Sequence, residues 1–248
     1  RERVAATRRA EDDPPHSNGG APVQRHTRAL VLAACLAPGM LLSIPPVLGA
    51  EARTATAPAV ASADPLYLQA LANPARSTAD RERDAREKPA DMLALADIRP
   101  GMSVADIFGG GGYYAELLSY VVGPSGRVQL VNNAPYVMFT RKDCEARFKD
   151  GRLGAVRRSI VESCDLGLQP ESLDAALIVM SYHDLYHYDP NGWPRIDAPQ
   201  FLEQIRRAVK PGGVFVIVDH AAREGTGKDA AQELHRIDEQ FAIRDIES

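Results

Sequence analysis

The 248-residue sequence predicts an α/β fold, a Rossmann-like, doubly wound and mostly parallel sheet. Three observations carry that expectation. Strand patterns alternate with helical patterns five times from residue 103 onward. Residues 175–180 are apolar without interruption, as in a strand buried on both faces of a parallel sheet. Residues 109–112 are all glycine, and they join the first of those strands to a helix, where open α/β sheets hold ligands.

The chain before that domain reads as targeting sequence. Residues 1–24 are polar and aperiodic, which predicts disorder. Arg25 and Arg28 then precede an apolar run over 29–50, with small residues around Ala50 and Ala52. A basic, then apolar, then small-residue order is that of a secretory signal peptide. The expected division is 1–28 disordered and basic, 29–52 signal and cleavage site, 53–63 linker, and 64–248 the globular domain. Export to the periplasm follows, or a cytoplasmic protein if the signal is not functional. Pro38, Gly39, Pro45 and Pro46 oppose a continuous helix, so no stable membrane span is expected in the mature protein. Leu32-Ala33-Ala34-Cys35 resembles a lipoprotein box, but the apolar run continues well beyond the cysteine.

Within the domain, residues 77–88 read as a charged helix interrupted at Pro89, and a short helix around Met92 and Leu95 follows. A turn at Pro100-Gly101 leads to a strand at 103–108, and residues 113–122 form an apolar helix. After the turn Gly123-Pro124-Ser125-Gly126 come a strand at 127–131, a helix at 135–148 and a strand at 156–161. The strand at 175–180 precedes an amphipathic helix at 198–209, with Phe201, Leu202, Ile205 and Val209 on one face. Lys210-Pro211-Gly212-Gly213 ends that helix, residues 214–218 form the fifth strand, and 228–246 a final helix. A sheet of this type carries two further C-terminal strands. Without them, an exposed sheet edge and a poorly stable chain are expected.

Composition is that of a soluble globular protein: 45% hydrophobic and 25% charged, with net charge −4. No basic stripe interleaves with aromatics, so a nucleic-acid partner is not expected. Cys35, Cys144 and Cys164 match no metal-ligand spacing, and whether Cys144 and Cys164 pair is left open by the sequence.

The glycine run demands close approach of the backbone to a bulky ligand, because a Cβ would block it. No Gly-Lys-Ser/Thr follows, which excludes a P-loop. Asp106, just before the loop, would repel a pyrophosphate but face an ammonium group. Residues 106–112 resemble motif I of class I S-adenosylmethionine-dependent methyltransferases, acidic-x-Gly-x-Gly-x-Gly, with Phe108 in place of the first glycine. Arg83-Asp84, Arg86, Tyr182-His183-Asp184, Lys210-Pro211-Gly212-Gly213, Asp219-His220 and the run at 234–238 further resemble a bacterial family of predicted methyltransferases with signal peptides.

The resemblance implies S-adenosylmethionine as cofactor and a small-molecule or protein methyl acceptor. It implies that Asp106 meets the cofactor's amino group and that Gly109, Gly110 and Gly112 let the loop lie against it. Asn132 would take the ribose hydroxyls, where the class usually places an acid. Glu162 would take the adenine amino group. Apart from the resemblance, Tyr182 or Tyr186 is a candidate to wall the cationic cofactor through its ring face, or else to pack beneath the loop.

Methyl transfer from a sulfonium needs alignment and water exclusion, and a base only for a protonated nucleophile. His183 and His220, beyond the fourth and fifth strands, are the expected base or substrate contacts. Arg83 and Arg86 are candidates to greet an anionic group, or else a solvated helix face. His183 and His187 have helical ligand spacing near Asp184 and Asp189, but no third ligand is evident and no metal is expected. His235 and Arg236 read as structural. Two other functions remain open: a non-catalytic S-adenosyl ligand sensor, and an NAD-dependent oxidoreductase, which Asp106 disfavours.

Overall fold

The computed structural model describes residues 29–35 and 64–247. Its centre is a six-stranded sheet. The strands are β1 (Ala29–Cys35), β2 (Ser103–Ile107), β3 (Arg127–Asn132), β4 (Val156–Ile160), β5 (Leu173–Val179) and β6 (Val209–His220), in the order β1-β6-β5-β2-β3-β4. All neighbours from β6 to β4 are parallel, and β1 alone runs antiparallel, pairing Ala29 with His220 through Cys35 with Val214. The chain order reverses between β5 and β2, so their carboxyl ends form the crevice where such sheets bind ligands.

β1 corrects one expectation. The β6 edge that the sequence leaves bare is occupied by the apolar N-terminal run, whose first residues supply an antiparallel partner. An edge so covered no longer offers unpaired N–H and C=O groups. The rest of the expected signal, its cleavage site and the linker lie outside the described residues, as do residues 1–28.

Helices α1 (Pro65–Leu71), α2 (Thr78–Glu87) and α3 (Pro89–Leu95) precede β2. Each start has a local cause. Asp64 caps α1 by accepting from Leu66 N–H at 2.9 Å. Ser77 caps α2, its hydroxyl accepting from Asp80 N–H at 3.1 Å and donating to the Asp80 carboxylate at 2.8 Å. The break expected at Pro89 is real: Lys88 turns left-handed (φ 45°) and α3 leaves in a new direction.

Helix α4 (Tyr113–Val122) follows the glycine loop, and every residue but Tyr120 is buried, so it lies between the sheet and the N-terminal helices. α5 (Ala134–Arg147) has no fully buried residue, whereas α6 (Ala198–Ala208) buries Phe201, Ile205 and Ala208 on one stripe. Two apolar clusters fill the faces of the sheet, one around Phe108, Ile178 and Phe201, the other around Leu93, Leu117 and Val216. The single final helix expected over 228–246 is two: α7 (Ala230–Leu234) and α8 (Glu239–Glu247). His235 divides them in a left-handed conformation (φ 48°), and Asp238 accepts backbone N–H groups on both sides of the break.

Candidate active site

β2 ends in Asp106-Ile107, and the backbone turns sharply at Phe108, which is left-handed (φ 53°). Asp106 is fully buried. Its Oδ2 accepts from Ala115 N–H in the first turn of α4 at 3.0 Å, while its Oδ1 has no partner among the described residues. Burial pushes the carboxyl up to about 7, against the pull of that N–H and of Arg83 and Arg147. Gly109 lies directly over this carboxylate: a Cβ there would stand 2.2 Å from Asp106 Oδ2. Gly112 (φ 83°) turns the chain into α4, and a Cβ would press on Leu130 and Phe148. Gly110 is braced on both sides by the Asn132 amide, its N–H donating to Oδ1 at 3.0 Å and its carbonyl accepting from Nδ2 at 2.8 Å.

A cavity of about 220 Å³ opens beside this loop. Asp106, Gly109 and Gly110 line it on the β2 side, Met180 and Ser181 at the end of β5, and Tyr136 and Arg147 on α5. Arg83 reaches it from α2, its guanidinium 4.1 Å from the centre of the Tyr113 ring. Met180, like Phe108, is left-handed (φ 57°). Of the seven left-handed residues other than glycine among the described residues, these two border the same crevice. Small-molecule pockets commonly run to about 300–1,000 Å³. The cleft therefore has room for the amino-acid end of a nucleotide-sized ligand and must widen for the whole.

Beyond β5 and β6 lies a second polar group. His183 is buried, with Nδ1 2.7 Å from Asp219 Oδ1, and its backbone N–H donates to Asp219 Oδ2 at 2.7 Å. Burial pulls the imidazole down, but Asp219 and then Asp184 outweigh it, and the ring titrates above its ordinary value. His183 Nε2 faces Asp184 Oδ1 at 3.4 Å, and Asp184 Oδ2 accepts from the Tyr136 hydroxyl. Tyr136 lines the cavity and packs on Phe108, ring centres 4.9 Å apart, so it links the two groups. His220 is half-buried, its Nδ1 has no partner among the described residues, and burial holds it below the ordinary value.

The expected site residues thus fall into three sets. Asp106, Gly109 and Gly110 meet at the cavity, and Gly112 shapes the loop from beneath. His183 stands one residue removed from the cavity, through Asp184 and Tyr136, and His220 neighbours it at the end of β6. Three residues stand elsewhere. Asn132 is buried beneath the loop and not on the cavity wall, where its amide gives one N–H to the Gly110 carbonyl and takes the Gly110 N–H, because the loop's buried backbone groups need partners. Glu162 is exposed in a turn beyond β4, away from the cavity wall. Tyr182 is fully buried in the core with its hydroxyl on Asp245, and walls nothing. Sequence reasoning left Arg83 undecided and missed Tyr136, Met180 and Arg147. No local pattern marks them, because α2 and α5 reach the crevice only through tertiary packing.

No family model matches the chain. A protein-L-isoaspartate O-methyltransferase from Methanothrix thermoacetophila is 40% identical over 128 residues, 51% of this chain and 51% of that protein. A ubiquinone/menaquinone biosynthesis C-methyltransferase from Bordetella avium is 27% identical over 127 residues, 51% of this chain and 44% of that protein. The chain spans about half the length of these curated relatives. Among solved structures, a SAM-dependent methyltransferase from Aquifex aeolicus matches 74% of this chain and 86% of its own, at 21% identity and a TM-score of 0.52. An arsenic(III) S-adenosylmethionine methyltransferase from Chlamydomonas reinhardtii matches 74% of this chain and 60% of its own, at 17% identity and a TM-score of 0.50. The fold is therefore the Rossmann-like α/β fold of the class I methyltransferases.

Proposed function

We propose that the chain is an S-adenosylmethionine-dependent methyltransferase acting on a small-molecule or protein acceptor. The observation that carries the reading is the orphaned Oδ1 of Asp106, beside a loop residue, Gly109, where a Cβ cannot fit. A buried carboxylate oxygen without a donor is costly, and the ammonium of an amino-acid ligand would satisfy it. Arg83, on the same cavity, is placed to take the carboxylate of that amino acid. Gly109 and Gly110 let the backbone approach. The bound cofactor would supply an activated methyl group, and the chain's own part is to align the acceptor and exclude water. His183, held in place by Asp219, is the proposed base or acceptor contact, with His220 beside it. The curated relatives, both methyltransferases by name, support the reading.

Calorimetry with the purified chain tests it. S-adenosylmethionine is expected to bind, and Asp106→Ala to weaken binding at least about tenfold, the loss of one charge-assisted contact. Equal affinity in the variant would refute the placement. Phe108 in the glycine position and Asn132 in place of an acid favour a second reading, a non-catalytic S-adenosyl ligand sensor. Formation of S-adenosylhomocysteine in a cell extract would exclude it. Stabilisation by NAD, and not by S-adenosylmethionine, would instead indicate an oxidoreductase.

Export is proposed from the basic, apolar, small-residue order of residues 25–52. Cleavage near Ala50 would remove β1 and bare the β6 edge, so the mature N-terminus, read by mass spectrometry, decides which form of the sheet exists.

A further inference from the structure

We propose that His183, Asp184 and His235 form a binding site for a divalent transition metal, with one coordination position left open. Each offers one ligand atom, and the three atoms lie within 4.8 Å of one another. Asp184 Oδ1 is the shared corner, 3.4 Å from His183 Nε2 and 3.6 Å from His235 Nδ1. Both distances are too long for good hydrogen bonds, which run to about 3.2 Å. They suit two ligands on one ion. With bonds of about 2.0–2.2 Å, neighbouring ligand atoms of a tetrahedral zinc site stand roughly 3.3–3.6 Å apart. Only the edge between the two imidazoles has to close, and the exposed His235 side chain is free to swing.

The surroundings are those of metal ligands. His183 turns its other nitrogen, Nδ1, to the buried Asp219 carboxylate at 2.7 Å, which makes Nδ1 the donor there and leaves Nε2 facing Asp184, where a metal ion would replace its proton. A carboxylate behind a histidine is the usual way to fix its tautomer and raise its basicity toward a metal. Asp184 is held in the same manner, its Oδ2 occupied by the Tyr136 hydroxyl and its Oδ1 facing the two histidines. His235 comes from a different element. The left-handed turn between α7 and α8 brings its ring to 5.4 Å from that of His183. His187 stacks on His235 at 4.9 Å, with its Nδ1 buried and without a partner among the described residues. Two imidazoles and one carboxylate leave coordination free, and imidazole-rich sets select zinc and its first-row neighbours over magnesium or calcium.

The Tyr136 link sets this site beside the cavity, so an acceptor hydroxyl or thiol on the open position would release its proton to solvent more readily, with His183 then a metal ligand and not a base. That role rests on the methyltransferase reading. Metal binding itself does not, and the two fail separately. Zn²⁺ titrated into the untagged, chelator-treated chain is expected to bind one to one in calorimetry, and Co²⁺ to give visible d–d absorption. His235→Asn, which tolerates the left-handed backbone, is expected to weaken binding at least tenfold with an unchanged melting profile in the metal-free state. Asp184→Asn is expected to do likewise. A Cys144→Ser/Cys164→Ser double variant should bind as the parent does. No stoichiometric binding, equal affinity in His235→Asn, or loss in the cysteine variant would each overturn the site.

Discussion

At the scale of single residues, Asp106 and Phe108 make opposite bargains. Burial raises the Asp106 carboxyl to about 7, far above its ordinary 3.8, so the folded state holds a proton that the unfolded chain has released. Stability therefore falls as pH rises from about 4 to about 7, and stays low above that. Asp106→Asn is expected to stabilise the ligand-free protein by about 2–4 kcal/mol at pH 8, the gap shrinking toward pH 4, in urea melts. The ligand's ammonium needs the ionised form, so affinity for S-adenosylmethionine should drop about tenfold per unit below pH 6.5 and level off above pH 8. A flat affinity profile would place the ammonium elsewhere. Phe108 carries a left-handed backbone at a cost of about 1–2 kcal/mol. Its ring, against Tyr136, Phe201 and Trp193, is worth about 3–5 kcal/mol by comparison with buried Phe→Ala changes. Packing wins, which is why a phenylalanine can hold a place where this loop type usually has glycine.

At the scale of elements, the charged helix α2 is a clamp on the glycine loop. Arg147 at the end of α5 pairs with Asp80 through both terminal nitrogens, at 2.7 and 2.9 Å, and with Glu116 on α4. Its Nε donates to the Gly111 carbonyl at 2.8 Å. Arg76 holds Asp84, which also accepts from the Tyr113 hydroxyl at 2.6 Å. Burial works against the Asp80 carboxylate, but Arg147 more than compensates and keeps it below its usual range. Removing one partner of a buried pair leaves an uncompensated charge. Arg147→Met is expected to lose about 3 kcal/mol in urea denaturation. It should also weaken S-adenosylmethionine binding, because the loop loses its outer support. An effect on stability with no effect on binding would detach the clamp from the site.

At the scale of the whole molecule, the sheet edge decides how the chain survives alone. β1 supplies the antiparallel partner of β6 along Ala29 to Cys35. A chain beginning at Asp64 is expected to melt lower and to self-associate in light scattering, since the β6 edge would be bare. A monomeric chain with the parent melting temperature would show that β1 adds nothing. The same segment has the composition of a signal, and an apolar run of this kind suits either use. Only its pairing distinguishes them.

Much of this was legible from residues alone. The central strands β2, β5 and the end of β6 show as apolar runs because both faces of a parallel sheet exclude water there, and the turn at the glycines shows because nothing larger fits over Asp106. Pro89 announces its break through backbone chemistry, whereas Lys210-Pro211-Gly212-Gly213, expected as a turn, lies within β6 as an irregularity between its pairings with Leu173 and Ala175. The positions of Asn132, Glu162 and Tyr182 off the cavity wall were not legible, because a polar or aromatic residue beside a strand end has several partners within reach, and a one-dimensional pattern does not choose among them. The amide of Asn132 went to the loop backbone, and the Tyr182 hydroxyl to Asp245. The convergence of Arg83, Tyr136 and Arg147 on one crevice, and of His183, Asp184 and His235 on one point, joins residues up to 64 positions apart in sequence. Local chemistry determined the strands, the turns and the buried carboxylate. The tertiary packing alone decided which distant side chains meet there, because contacts across a core depend on how elements stack and leave no periodic trace in the chain.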